Sequence, residues 1–124
     1  MKVQRLYVVY NADSDLWSLL VDVARKLAGR DECPLCTLTH GPTGERAAWK
    51  QCKQALKVPV DAVHRDELAD ELRQIDAPLP FIAVSIGGRP ELLLDRVAIE
   101  KLRPEGLEQA LRERAAVRGY TFPE

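Results

Sequence analysis

The chain opens on a continuous apolar run, Leu6-Tyr7-Val8-Val9-Tyr10, whose β-branched and aromatic residues read as a buried strand. Asn11-Ala12-Asp13-Ser14 end it, and Asp13 or Ser14 can cap a following helix by accepting from its unpaired backbone N–H groups. In that helix Leu16, Leu19, Leu20, Val23, Ala24 and Leu27 recur at helical spacing, with Asp15, Ser18, Asp22, Arg25 and Lys26 on the solvated side. Gly29 closes it. A short helix is expected from Pro34 to His40, because proline suits a first helical position and Gly41-Pro42 stops the chain. A second runs from Glu45 to Leu56, with Ala48, Trp49, Cys52, Ala55 and Leu56 on one stripe.

Further on, Val58 to His64 reads as a strand, with Pro59 tolerated near its start. Asp66 is placed to cap a helix carrying Leu68, Leu72 and Ile75. Leu79-Pro80 precedes a fully apolar strand, Phe81 to Ile86. Gly87-Gly88 signals a hairpin turn, and Glu91 to Asp95 is the returning strand. Pro104 or Glu105 opens a last helix to about Arg118, with Leu107, Ala110, Leu111 and Ala115 inward and Gly119 closing it. The expected fold is α/β: a parallel βαβ unit, crossing over right-handedly, with a hairpin adding two antiparallel strands to a four-stranded mixed sheet.

At 124 residues the chain is expected to form a single domain over residues 1–124. Eighteen basic against nineteen acidic residues leave a net charge of −1, so no basic excess exists to neutralise nucleic-acid phosphates. No apolar run approaches the roughly 18 residues of a membrane span. The first residues lack a signal-peptide layout, and a cytoplasmic setting is the expectation.

Three cysteines carry the candidate chemistry. Cys33 and Cys36 form a C-P-L-C pair, which in a cytosolic chain is more often catalytic or metal-binding than a permanent bridge. With Pro34 at the first helical position, Cys33 would sit where unpaired N–H groups favour a thiolate. Cys36, three residues on, is within reach to resolve a mixed disulfide. His40, one turn beyond on the same face, could assist a proton transfer. The catalytic candidates are therefore Cys33, Cys36 and His40, exchanging with a protein or low-molecular-weight thiol and using no cofactor. Two alternatives stay open: a zinc site in which His40 and Cys52 join the pair, or share ligands in a homodimer, and a purely structural pair. Cys52, on an apolar stripe, reads as a core residue. Gly87-Gly88-Arg89-Pro90 and Gly41-Pro42-Thr43-Gly44 read as turns, not phosphate cradles.

The element order β-α-β-α-β-β-α, with the C-P-L-C segment and an extra helix inserted between the first helix and the second strand, resembles the thioredoxin-like fold of glutaredoxins and thioredoxins. Pro80 looks like that family's cis-proline. More narrowly, Tyr10-Asn11-Ala12-Asp13, the C-P-L-C pair with Leu38-Thr39, and His64-Arg65-Asp66-Glu67 look like a group of small bacterial proteins of unassigned function. The resemblance implies the fold and a thiol–disulfide activity. One departure is visible: Asp13-Ser14-Asp15-Leu16 stand where the family has its cysteines. A first helix of about 14 residues, about 21 Å long, is expected to carry the C-P-L-C pair toward the sheet edge opposite Pro80.

A second place draws notice. Parallel first and second strands would bring Asn11, Asp13, Ser14 and Asp15 near His64, Arg65 and Asp66, with Pro80 beside them. Open α/β sheets bind ligands beyond the carboxyl ends of their strands, with His64 as the titratable group here. Helix caps and local ion pairs explain the same residues without a ligand.

Overall fold

The computed structural model describes residues 1–11, 34–41 and 44–123, and elements are numbered among these. The helix expected around residues 16–27 and the residues Asp13, Ser14, Asp15 and Cys33 lie outside them.

The described strands are β1 (Arg5–Val9), β2 (His40–Gly41), β3 (Gly44–Glu45), β4 (Val60–Val63), β5 (Phe81–Ile86) and β6 (Arg89–Leu94). The helices are α1 (Pro34–Thr39), α2 (Ala47–Leu56), α3 (Asp70–Arg73), α4 (Arg96–Glu100) and α5 (Leu107–Val117), with 3₁₀ turns at Arg65–Glu67 and Pro104–Gly106. Four strands form one mixed sheet in the order β4-β1-β5-β6. β1 runs parallel to β4 and antiparallel to β5, and β6 returns antiparallel to β5. This is the mixed sheet the sequence implies. β2 and β3 form a separate two-stranded ribbon.

Alternation along β1 divides the core. Leu6, Val8 and Tyr10 face the larger cluster, with Ile82, Val84 and Ile86 of β5 and the inner faces of α1, α2, α4 and α5. Val9, Phe81 and Ala83 point the other way, against Leu72 and partly buried Leu68 and Ile75. Strand β5 is covered on both sides, which is why it reads as a nearly continuous apolar run, with Ser85 the one polar residue in it. A register shift between Ile82 and Ala83 breaks the β6 alternation. Leu93 and Leu94 thereby both join the larger cluster while Leu92 packs with the smaller one. The β5–β6 turn uses Gly87 and Gly88 at φ of 57° and 81°, the left-handed pair that a two-residue hairpin needs.

Several boundaries differ from expectation. α1 ends at Thr39, and His40 belongs to β2, opposite Glu45. The stop is physical: Arg46 donates its backbone N–H to the Thr39 carbonyl at 2.9 Å and its Nε to the Thr37 carbonyl at 2.8 Å, taking up acceptors at the helix end. The helix expected from Asp66 is instead a 3₁₀ turn headed by His64, followed by the single turn of α3 headed by Ala69. Helix α4 had no apolar stripe long enough to announce it; Asp95 caps it, accepting from the Ala98 N–H at 2.9 Å.

Candidate functional site

The chain has two histidines, and both come to one buried tyrosine. Tyr10 directly follows β1, and its N–H donates to the Val63 carbonyl at 2.8 Å. Continuing the β1 registers by one step sets His64 on one side of Tyr10 and Pro80 on the other. The Leu79–Pro80 peptide is cis, the form expected at this proline. The carboxyl ends of the parallel strands therefore share an edge with Pro80, as the sequence implied.

The rings differ in their approach to Tyr10. His64 is stacked on it, with centroids 5.9 Å apart and planes at 27°. His40 meets it edge-on, at 6.3 Å and 72°. Below them lies a cavity of about 140 Å³ lined by Tyr10, both histidines, Glu45, Trp49 and Lys53, with Val8, Val60 and Ala62. The Lys53 ammonium bonds both Glu45 carboxylate oxygens, at 2.9 and 3.1 Å, and stands 5.4 Å from the Trp49 ring. That bond holds the Glu45 carboxyl below its ordinary pKa.

The polar contacts beneath the rings converge on Thr39, which is fully buried. Its Oγ1 lies 2.9 Å from the Tyr10 hydroxyl, 2.8 Å from His40 Nδ1 and 3.1 Å from the Leu35 carbonyl, to which it donates. Burial raises the Tyr10 pKa, so the phenol keeps its proton. Burial also lowers the His40 pKa, seconded by Lys53, Arg46 and His64 and opposed by Glu45. His64 Nδ1 lies 2.6 Å from Glu67 Oε1, and the same oxygen accepts from the His64 N–H at 3.3 Å. Glu67, not Asp66, thus closes this turn, through a reciprocal box that a search for Ser, Thr, Asp or Asn caps passes over.

The two cysteines among the described residues differ in kind. Cys36 lies in α1, buried in the larger core cluster, and is disulfide-bonded. Cys52 is a free thiol in the same core, and burial pushes its pKa up to about 11. Among the described residues no three of His, Cys, Asp and Glu are gathered to hold a metal ion. Cys36, His40 and Cys52 are thus not gathered as a ligand group, and Cys33, the remaining member of the zinc set the sequence allowed, lies outside the described residues.

The position of α1 also departs from expectation. Thr39, its last residue, is bonded to Tyr10, so this end of the helix reaches the Pro80 edge of the sheet and not the opposite one. The gathering of Tyr10 with Thr39 and His40 left no mark in local spacing, since Tyr10 lies 29 residues before Thr39 in the chain. Among the described residues no helix is long and apolar enough to cross a membrane. No model of a known protein family matches the chain, and neither a curated protein nor a solved structure matches it.

Proposed function

We propose that this chain is a thioredoxin-like domain that carries out thiol–disulfide exchange, or senses redox state, through Cys33 and Cys36. The observation that carries the reading is the division among the cysteines: Cys36 is disulfide-bonded while Cys52 is a free, core-buried thiol. In a cytoplasmic setting, disulfides are characteristically transient and catalytic. The fold part of the proposal is supported by the β4-β1-β5-β6 order with one parallel pair.

The chemistry runs as two exchanges. The Cys33 thiolate attacks one sulfur of a partner disulfide, forming a mixed disulfide and expelling the partner's other sulfur as a thiolate, which takes up a proton. Cys36 then gives up its proton, attacks the Cys33 sulfur, breaks the mixed disulfide and expels the second partner thiolate. The partner disulfide is reduced and the Cys33–Cys36 pair is oxidised. Cys36 is 2% exposed, which suits a resolving thiol shielded from outside disulfides. His40, the residue that follows α1, is the proposed acceptor of the Cys36 proton. The partner is a protein or a low-molecular-weight thiol.

The test is oxidation of the reduced protein by bis(2-hydroxyethyl) disulfide, followed by mass spectrometry. Wild type should end as a Cys33–Cys36 disulfide, and Cys36→Ser should accumulate the mixed disulfide on Cys33. A Cys33→Ser variant that reacts as fast as wild type would sink the reading.

A further inference from the structure

The hydroxyl of Thr39 has one proton and two lone pairs, and it has three neighbours within hydrogen-bond distance. Leu35 O is a carbonyl and only accepts, so the single Thr39 proton goes there, the back-bond to the i−4 carbonyl that helical threonines make. Both remaining partners must then donate to Thr39. The Tyr10 phenol, neutral in its buried site, supplies one proton. His40 Nδ1 must supply the other. Any other assignment places two acceptors against one another in a pocket where Thr39 has no solvent exposure.

We infer that Thr39 is a positioning residue: its hydroxyl holds His40 in the Nδ1–H form and so makes Nε2 the basic nitrogen of that ring. The two nitrogens of a histidine are distinct, and the hydrogen bond made by one settles the chemistry of the other. Burial favours the neutral ring, and in the neutral ring the lone pair is then on Nε2. The Thr39 bond survives if Nε2 takes up a proton, because Nδ1 donates in both states. The imidazole therefore keeps its place through a protonation cycle. Tyr10 serves this arrangement from the other side, by filling one Thr39 lone pair without competing for its proton.

The link to chemistry rests on the exchange reading above, in which His40 takes the Cys36 proton; that proton would go to Nε2. Sequence alone points to His40 as the acid–base group but not to the residue beside it. Thr39 precedes it directly, and adjacent residues rarely bond side chain to side chain within a helix. Their bond exists because His40 has left α1 for β2.

Two readouts separate the claims. Long-range ¹H–¹⁵N correlation of the imidazole nitrogens, with the His40 signals assigned by comparison with His64→Gln, reports the tautomer directly. Wild type should show Nδ1–H for His40, Thr39→Val should show a shift toward Nε2–H, and Thr39→Ser should restore Nδ1–H. Tyr10→Phe should keep it, since the phenol only donates to Thr39. An Nε2–H tautomer in wild type, or an unaltered Nδ1–H in Thr39→Val, overturns the inference. Oxidation by bis(2-hydroxyethyl) disulfide supplies the second readout, with an expected slowing of about 10-fold or more in Thr39→Val and recovery in Thr39→Ser. A switched tautomer with an unchanged rate supports the positioning role and overturns His40 as proton acceptor.

Discussion

The aromatic ring of Tyr10 is stacked on the imidazole of His64 at 5.9 Å, joining the ends of two parallel strands through their side chains. Its hydroxyl meanwhile reaches Thr39. One residue thus ties the sheet edge to the helix that carries Cys36. Removing only the oxygen separates these duties. Tyr10→Phe should cost about 1 kcal/mol, the usual worth of one buried hydrogen bond, whereas Tyr10→Ala should cost about 3–5 kcal/mol through the cavity it leaves. Urea denaturation midpoints measure both, and equal losses would show that packing contributes nothing at this position.

Acid should weaken the fold through His40. Its folded pKa is lowered, chiefly by burial. As pH falls below about 6.5 the unfolded chain takes up a proton that the folded chain still refuses. Stability from this group is therefore complete above the unfolded pKa and declines on acidification until the folded pKa is passed. His40→Gln should show a smaller loss of denaturation midpoint than wild type between about pH 7 and pH 5. Glu45 acts in the same direction in a lower window, because its carboxyl is held down by Lys53.

Cys52 should be inert until the protein unfolds. It is buried, and its thiol pKa is pushed up to about 11, so little thiolate forms at mild pH. Iodoacetamide at about pH 8 should leave Cys52 unmodified in the native protein and alkylate it in urea. Peptide mapping distinguishes this from labelling at the C-P-L-C pair.

Helix α5 offers a control on packing. Leu111 is fully buried and Val117 is 82% exposed on the same helix. Leu111→Ala should cost about 2–5 kcal/mol, and Val117→Ala should stay within about 0.5 kcal/mol. Thermal or chemical denaturation of the two variants compares them directly.

What was legible in the chain followed from periodicity. The runs at Leu6–Tyr10 and Phe81–Ile86 declare buried strands because both faces of their part of the sheet are covered. Gly87-Gly88 declares the hairpin because only residues tolerant of positive φ close it cheaply. Local patterns failed where distant groups decide the outcome. Arg46 ends α1 by taking its terminal carbonyls, which turns His40 from a helical residue into a strand residue. The Glu67 side chain draws the chain after β4 into a 3₁₀ turn at His64, and the expected helix shrinks to Asp70–Arg73. Both sulfur and imidazole candidates were visible as residues. Their surroundings were not, since Tyr10 meets Thr39 and His40 only once the end of β1 has packed against the junction of α1 and β2.

The outer strand β6 begins Arg89-Pro90-Glu91, and Pro90 has no N–H to offer. Farther along, Arg118 donates its guanidinium to the Leu92 carbonyl, while the Tyr120 hydroxyl donates to the Glu91 carboxylate. A foreign strand approaching this margin meets a missing donor, an occupied acceptor and a charged guanidinium in its way. Fibril-like stacking of one molecule on the next is thereby discouraged along β6.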